Sequence, residues 1–268
     1  MSGYRLALRA APTARVDVSG ISPDRLARLD ADEVARIAVP FGTRQAMLGD
    51  LFTISGSPGE VLVVAGHERL DGLGAGLRAG RLEVEGPAGA LAGAGMCGGV
   101  LRISGSAGEG LGAGLAGGRI EVRGDVGPRL GGALPGERHG MTGGVIRIAG
   151  DAGPEACARM RGGLVMIHGS TGPATAQRLI AGTVAIRGAL GPDAGIGMRR
   201  GTLILEMPPD LLAAGFGDAG EHDLVFLALL ARRVPELARM FEGMAIGRAR
   251  RLVGDRLVGG QGEMLVLQ

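Results

Sequence analysis

The sequence predicts an all-β protein that forms one parallel β-helix, in which short strands stack on one another. Two observations predict this class: a repeat of 19 residues, and a short strand-like pattern that ends each copy. Repetition at a fixed period indicates structural units that pack only against their neighbours. Because the 268 residues contain one such region, we expect a single elongated domain with a cap at each end.

The repeat extends from Gly72 to Glu206 and is clearest in residues 108–124, which read GEGLGAGLAGGRIEVRG. The closing glycines are separated by 19 residues, except for one step of 26, and they are Gly86, Gly105, Gly124, Gly150, Gly169 and Gly188. A column of Leu or Met precedes the strands, at Leu77, Met96, Leu115, Met141, Met160, Leu179 and Met198. Glycine suits the turns because it accepts positive φ without strain.

Each copy ends in a run with period two, which is typical of a strand with one buried face. The inward pairs are Leu82 and Val84, Leu101 and Ile103, Ile120 and Val122, Ile146 and Ile148, Val165 and Ile167, Val184 and Ile186, and Leu203 and Leu205. No helical pattern separates these runs, so successive strands are expected to pair in parallel and in register, about 4.8 Å apart.

The middle outward position of each strand changes character along the repeat. The first four copies alternate in charge, through Glu83, Arg102, Glu121 and Arg147, and neighbouring opposite charges stabilise a ladder. The last three copies carry Met166, Ala185 and Ile204 instead. An outward apolar column predicts a cover, which is either the C-terminal helix of this chain or another protein of a complex.

The N-terminal cap is predicted to comprise residues 1–46. Residues 4–8 and 15–18 are interpreted as a hairpin, and Ser22 and Pro23 begin a helix that continues to Ile37. Residues 47–206 are assigned to the β-helix. Its first coil is degenerate, with a strand at residues 52–56, and an insertion of 11 residues around EVLVVAGHERL follows.

The C-terminal cap is predicted to comprise residues 207–268. The pair Pro208 and Pro209 ends the last strand, and residues 224–241 have helical spacing with an interruption at Pro235. Residues 250–253 and 263–267 then form a small hairpin, which is expected to cover the exposed last strand.

Composition excludes several classes of function. The net charge of +2 and the absence of Trp disfavour nonspecific nucleic-acid binding, and no segment reaches membrane-spanning length. Cys97 and Cys157 lie three repeats apart, too far for a disulfide. The N-terminus lacks a signal-peptide pattern, so we expect a reduced, cytoplasmic protein without nucleic-acid or membrane partners.

No motif of the sequence predicts catalysis or a metal site. Residues 93–98 and 112–117 match G-x-G-x-x-G, but a strand follows them where a dinucleotide site needs a helix. The four histidines have no metal-ligand spacing. We therefore expect no catalytic residue, no metal and no cofactor held by this chain.

Arginine is concentrated at one edge of the later copies. The candidate binding residues are Arg138, His139, Arg159, Arg161, Arg178, Arg199 and Arg200. Arg138 and His139 lie in the longer copy, beside an insertion near residues 132–138. Arginines grouped at one edge bind carboxylates or phosphates through bidentate pairs. Solvation, or salt bridges to a partner's acidic residues, remains the alternative.

The chain resembles the C-type subunit of formylmethanofuran dehydrogenase and, more distantly, the glycine-repeat β-helix of the glutamate synthase large subunit. Four segments carry the resemblance: residues 48–56 (LGDLFTISG), 72–80 (GLGAGLRAG), 139–144 (HGMTGG) and 198–205 (MRRGTLIL). The resemblance implies a right-handed β-helix that acts as a non-catalytic scaffold. The chemistry then resides in other subunits.

The arginine-rich, lysine-free composition suggests a bacterial genome of high GC content. Within this family, the resemblance therefore favours the related bacterial formyltransferase/hydrolase complex. The resemblance then implies amidohydrolase-like, formate-dehydrogenase-like and formyltransferase partner subunits. The complex uses tetrahydromethanopterin and a methanofuran-type carrier, and it releases formate in one-carbon metabolism. The carrier has a glutamate-rich tail, which the arginine edge is expected to bind.

Three alternatives stay open. The chain is also compatible with the C-type subunit of the archaeal tungsten or molybdenum dehydrogenase, or with a glutamate-synthase-type spacer module. A free-standing β-helix hydrolase or lyase would need paired outward carboxylates, but Arg102 separates Glu83 from Glu121.

Overall fold

A computed structural model describes residues 3–268 of the chain. Most of the regular structure in this range is β-sheet, and the helices have four to nine residues each. One sheet contains thirteen strands, most of them parallel, and a second contains four. The all-β class is therefore confirmed. No helix within residues 3–268 has the length and apolar character that crossing a membrane requires.

The N-terminal elements form the small sheet and one edge of the large one. They are β1 (Gly3–Leu8), β2 (Val16–Asp17), α1 (Pro23–Leu26), α2 (Ala31–Ala35), β3 (Ala38–Phe41), β4 (Arg44–Met47), α3 (Leu48–Leu51), β5 (Phe52–Gly56), β6 (Val61–His67) and β7 (Leu70–Asp71).

The repeat forms the centre of the large sheet. Its strands are β8 (Arg81–Ala88), β9 (Cys97–Ile103), β10 (Gly117–Val122), β11 (Val145–Ile148), β12 (Leu164–Ile167), β13 (Thr183–Ile186) and β14 (Thr202–Leu205). Each strand pairs in parallel with the next, and equivalent residues are partners, as in Leu101 with Ile120. The predicted register is therefore confirmed, and the inward aliphatic pairs form one continuous buried core.

The segments between these strands also bond from one copy to the next. Isolated parallel bridges join Ala88 to Ala107, Ala107 to Val126, Val126 to Ala152, and Ala152 to Thr171. The Leu and Met column that precedes the strands is fully buried. Each copy thus contacts its neighbours along most of its length, and not through the strands alone.

Close stacking explains the glycine at the start of β9. A Cβ atom built on Gly98 would lie 2.0 Å from the carbonyl oxygen of Arg78 in the preceding copy. Any larger residue at this position would force the two copies apart.

The predicted N-terminal hairpin is wrong. β1 pairs in parallel with β6 and antiparallel with β5, whereas β2 pairs with β3 and β7. The physical reason is burial, because Tyr4 and Leu6 extend the core formed by Leu62 and Val64, with which they are in register. A local hairpin would have left these side chains without that partner.

The degenerate first coil is also placed differently from the prediction. The predicted insertion contains β6, which continues the parallel stack by pairing Leu62 with Leu82 and Val64 with Val84. The segment predicted to be the first strand of the stack is β5, which pairs only with β1 at the edge of the sheet. β6 fits the stack because Leu62 and Val64 reproduce the inward pair of each later copy.

The helix predicted from Ser22 to Ile37 is interrupted. Pro23 begins α1 as expected, but α1 ends at Leu26 and α2 starts separately at Ala31. Asp30 caps α2, where its side chain accepts a hydrogen bond from the Glu33 N–H at 2.8 Å. This capping box favours a new helix start over continuation.

The C-terminal elements extend and cover the large sheet. They are β15 (Gly217–Asp223), α4 (Val225–Arg233), α5 (Pro235–Met240), β16 (Arg248–Gly254) and β17 (Gly262–Leu267), with a single 3₁₀ turn at Arg256–Val258. The interruption at Pro235 and the hairpin of β16 and β17 are confirmed. β17 pairs in parallel with β14 and so covers the last strand of the repeat.

The cover over the apolar outward column comes from this chain. Met166, Ala185 and Ile204 are buried in a second core with Leu227 of α4 and Leu237 of α5. The first of the two predicted covers is therefore confirmed.

Candidate functional site

Four of the predicted arginines line one groove of about 300 Å³. Its charged residues are Arg138, Arg159, Arg178 and Arg199, and Ile180, Gly197 and Val258 complete the lining. The arginines come from four successive parts of the chain, each in the segment that precedes a strand. The stacking of the repeats therefore brings these guanidinium groups to one surface.

The backbone fixes the spacing between Arg159 and Arg178. The N–H of Arg159 donates to the carbonyl oxygen of Gln177 at 2.9 Å, and the N–H of Arg178 donates to that of Ile196 at 2.8 Å. The two residues occupy equivalent positions in neighbouring copies. Their Cα atoms are thus separated by one strand spacing, about 4.8 Å.

Both arginines have a left-handed backbone. Their φ angles are +55° and +54°, and the equivalent residues of four other copies are Gly76, Gly95, Gly114 and Gly197. A residue with a side chain is disfavoured in this conformation by about 1–2 kcal/mol. Other turn residues of the repeat share this conformation, among them Leu91, Cys157 and Ala176, so it is a feature of the repeat and does not by itself mark a binding site.

The groove arginines have no acidic partner within the described chain. Twelve salt bridges occur in residues 3–268, and none includes Arg138, Arg159, Arg178 or Arg199. Arg129 provides the contrast, since it has the same left-handed conformation but pairs with Glu109. The groove therefore has positive charge available for an anion.

The insertion of the longer copy contributes Arg138 to the groove. Gly140, which ends this segment, donates its N–H to the carbonyl oxygen of Arg159 at 2.9 Å. The insertion is therefore fixed to the edge of the next copy.

Three of the predicted site residues do not line the groove. Arg161 and Arg200 are exposed outside it. His139 is half-buried, and its buried Nδ1 atom makes no hydrogen bond within residues 3–268.

Sequence reasoning missed the loop that contributes Val258 to the groove. Val258 lies in the lining of the groove, and buried Asp255 holds the loop in place through hydrogen bonds. The Asp255 carboxylate accepts hydrogen bonds from the N–H of Gly197 at 3.1 Å and from that of Leu257 at 2.9 Å. The loop lies outside the repeat, so periodicity gave no signal for it.

A larger groove of about 530 Å³ lies on the outer face of the first copies. Its charges are largely paired within the chain, because Arg102 bridges Glu121 at 3.0 Å and Glu83 at 3.9 Å. The predicted alternation thus forms ion pairs among three copies, but Arg147 does not join them. We prefer the arginine groove because its charges are unpaired.

A small cavity of about 150 Å³ separates the sheet from α5, and His168 lies in its wall with Arg147, Glu236, Arg239 and Met240. The Nδ1 atom of His168 lies 3.0 Å from the carbonyl oxygen of Ile148, so the neutral ring donates this hydrogen bond. Burial lowers the pKa of His168, and the charges of Arg147 and Arg187 lower it further.

The other candidates for chemistry are dispersed. No group of three or more His, Cys, Asp or Glu side chains in the described range is arranged to hold a metal ion. Cys97 is exposed, whereas Cys157 is buried, and burial raises the pKa of the Cys157 thiol to about 12.

Comparison with known proteins identifies relatives of this chain, although no protein-family model matches it. One curated relative is the C-type subunit of the formyltransferase/hydrolase complex Fhc of Methylorubrum extorquens, with 40% identity over 85 residues. That alignment spans 31% of this chain and 32% of the relative, about a third of the length of each.

A solved structure matches nearly the whole chain. It is the X-ray crystal structure of the formyltransferase/hydrolase complex (FhcABCD) from Methylorubrum extorquens in complex with methylofuran. One of its chains superposes with a TM-score of 0.91 and 38% identity, over 98% of both chains.

Proposed function

Because this chain belongs to the family of C-type subunits of the formyltransferase/hydrolase complex, we propose that it is the non-catalytic scaffold of such a complex. The complex would move a formyl group between tetrahydromethanopterin and a methanofuran-type carrier, and it would release formate. The TM-score of 0.91 over 98% of both chains is the observation that supports this proposal.

The scaffold would be a right-handed parallel β-helix of residues 47–206 between caps of residues 1–46 and 207–268. The in-register strands and the bridges between their connecting segments support the stacking of the coils, and the family resemblance implies the right hand. The partners would be the amidohydrolase-like, formate-dehydrogenase-like and formyltransferase subunits, in the cytoplasm.

Reconstitution tests the scaffold role. The chain is co-expressed with the three partner subunits, and formate release is measured for the complete complex, for the complex without this chain, and for this chain alone. We expect turnover from the complete complex only. Formyl turnover by this chain alone, or full activity of a complex that lacks it, would contradict the proposal.

The arginine groove would bind the glutamate-rich tail of the carrier. Its unpaired guanidinium groups complement a chain of carboxylates, and their regular spacing suits a ligand that repeats. Exposed ion pairs contribute only about 0–1 kcal/mol each, so several contacts are needed for binding. Such weak contacts also let a tail exchange partners as its head group moves between active sites.

Oligoglutamate binding tests the groove. We expect an oligoglutamate probe to bind the chain with an affinity that falls as salt is raised, because salt screens exposed charges. Replacing Arg159 and Arg178 by Ser should abolish this binding, whereas replacing the paired Arg102 and Arg187 by Ser should not. Equal binding by both double variants would exclude the groove.

Among the alternatives, 38% identity to a chain of the formyltransferase/hydrolase complex favours this family over a glutamate-synthase-type spacer module. The archaeal dehydrogenase is disfavoured because the matched relatives are formyltransferase/hydrolase proteins.

A further inference from the structure

The helix α4 is apolar on two opposite faces. Its inner face packs into the second core through Leu227, Leu230 and Ala231. Its outer face carries Val225, Phe226 and Leu229, whose exposed fractions are 72%, 42% and 54%. A helix that is apolar all round is normally buried on all sides, so the outer face of α4 lacks a cover within the described chain.

Two arginines continue this outer face. Arg232 and Arg233 follow Leu229 by three and four residues, which places them on the same side of the helix. Both are exposed, and neither takes part in a salt bridge within residues 3–268. The face thus consists of an apolar patch next to unpaired positive charge.

From these observations, we propose that the outer face of α4 is a docking surface for a partner subunit. The matching surface of the partner is an apolar depression that receives Phe226 and Leu229, with carboxylates at the rim that pair with Arg232 and Arg233. This inference rests on the proposed function, because it assumes that the chain assembles with other subunits. Buried aromatic anchors next to arginine are typical of residues that dominate binding.

Charge distinguishes this partner from a second copy of the chain. The sequence of α4, VFLALLARR, contains no acidic residue. The acidic residue that precedes the helix, Asp223, lies on β15 opposite Arg248, so in a contact between two copies the facing helix itself would offer these arginines no carboxylate. A partner with acidic residues at the rim satisfies both the apolar patch and the charges.

Assembly of the full-length chain with its co-expressed partner subunits tests the inference. The apolar double variant combines Phe226→Asp and Leu229→Asp. The charge-reversed double variant combines Arg232→Glu and Arg233→Glu, and Leu211→Asp is the control. Leu211 is 71% exposed but lies outside α4. Each variant alone is first shown to unfold at the wild-type temperature.

We expect the amount of partner subunit that co-purifies with the apolar double variant to fall by about tenfold or more relative to the wild type. A loss of this size is typical when central anchor residues of an interface are removed. The charge-reversed variant should also lose partner, and its loss should shrink at high salt because the repulsion is then screened. The control should assemble like the wild type.

Several results would overturn the inference. If both double variants assemble as well as the wild type, the outer face of α4 is not a docking surface, and the proposed function is unaffected. If the wild type itself fails to assemble with the partner subunits, the proposed function is excluded as well. If the wild type forms a dimer and the apolar double variant is a monomer, the face binds a second copy of the chain and the inference is wrong. Co-sedimentation of the wild type, but not of this variant, with phosphatidylserine vesicles would assign it to a membrane surface.

Discussion

The side chain of Arg178 lies across Gly197 of the next copy, where a Cβ atom built on the glycine would be 3.0 Å from Cγ of Arg178. Gly197 therefore leaves room for the aliphatic part of the arginine along the groove. Both residues have positive φ, +54° for Arg178 and +73° for Gly197. The chain thus uses glycine at one position and a strained arginine at the equivalent position of the neighbouring copy.

Replacing Arg159 or Arg178 by glycine should raise the stability of the fold and lower its affinity for oligoglutamate. We expect Arg159→Gly and Arg178→Gly each to raise the free energy of unfolding by up to about 1 kcal/mol. The relieved strain of about 1–2 kcal/mol exceeds the entropy that glycine adds to the unfolded chain, about 0.4–1 kcal/mol. Oligoglutamate affinity should fall in both variants.

Arg129→Gly is the matched control for this experiment, because Arg129 has the same left-handed conformation but pairs with Glu109 outside the groove. Its oligoglutamate affinity should not change. Denaturant unfolding and calorimetric titration measure the two quantities, and an unchanged affinity for Arg159→Gly and Arg178→Gly would contradict the assignment of the groove.

The second core should contribute strongly to stability. Ile204 is 1% exposed beneath α4 and α5, so Ile204→Ala should lower the free energy of unfolding by about 2–5 kcal/mol. Val225→Ala, on the exposed side of α4, should change it by less than about 0.5 kcal/mol. Urea denaturation followed by circular dichroism measures both variants. Similar losses for the two would mean that the helices do not cover Ile204 in solution.

The two cysteines should differ in reactivity. Burial raises the pKa of Cys157 to about 12 and shields the thiol, whereas Cys97 is exposed. We expect one thiol of the native chain to react with a chromogenic disulfide reagent near pH 8, and both to react in denaturant. The variant Cys97→Ser should not react in its native state. Rapid reaction of this variant would show that Cys157 is accessible.

His168 should make stability depend on pH. Its folded pKa lies below its ordinary value of 6.5, first because of burial and then because of Arg147 and Arg187, while the Ile148 hydrogen bond opposes the shift. The unfolded chain therefore takes up a proton first as pH falls. The stabilisation is fully present above pH 6.5 and is lost as pH falls towards the folded pKa.

Urea denaturation between about pH 5 and 8 measures this dependence. The decline on acidification should become shallower in His168→Gln. It should persist in His222→Gln, because His222 lies on the exposed strand β15. A decline of equal slope in His168→Gln would assign the pH dependence to other groups.

Much of the fold could be predicted because one physical requirement recurs in every copy. Leu101 and Ile120 must both be buried and must face each other, so periodicity alone gives their register. The N-terminal region does not repeat, and its pairings depend on distant partners. Tyr4 pairs with Leu62, a contact that local pattern cannot reveal. The strand β15 was missed for a different reason, since its residues are polar and exposed.

The candidate site was predictable in composition but not in shape. The repeat placed Arg159 and Arg178 at one edge, because equivalent positions of stacked copies must lie side by side. It could not give the paths of their side chains, although glycine at the equivalent positions of other copies is a signal of the left-handed backbone. Nor could it place Val258, which reaches the groove from a loop outside the repeat.

The 19-residue step that separates most of the copies has a consequence for how such a molecule changes in size. The strand of each inner copy pairs only with the strands of the copies before and after it, so duplication or deletion of a copy that does not lie under α4 and α5 leaves equivalent strand partners in place. The length of the stack then changes in increments of about 4.8 Å. The number of copies therefore sets the length of the molecule along the stack.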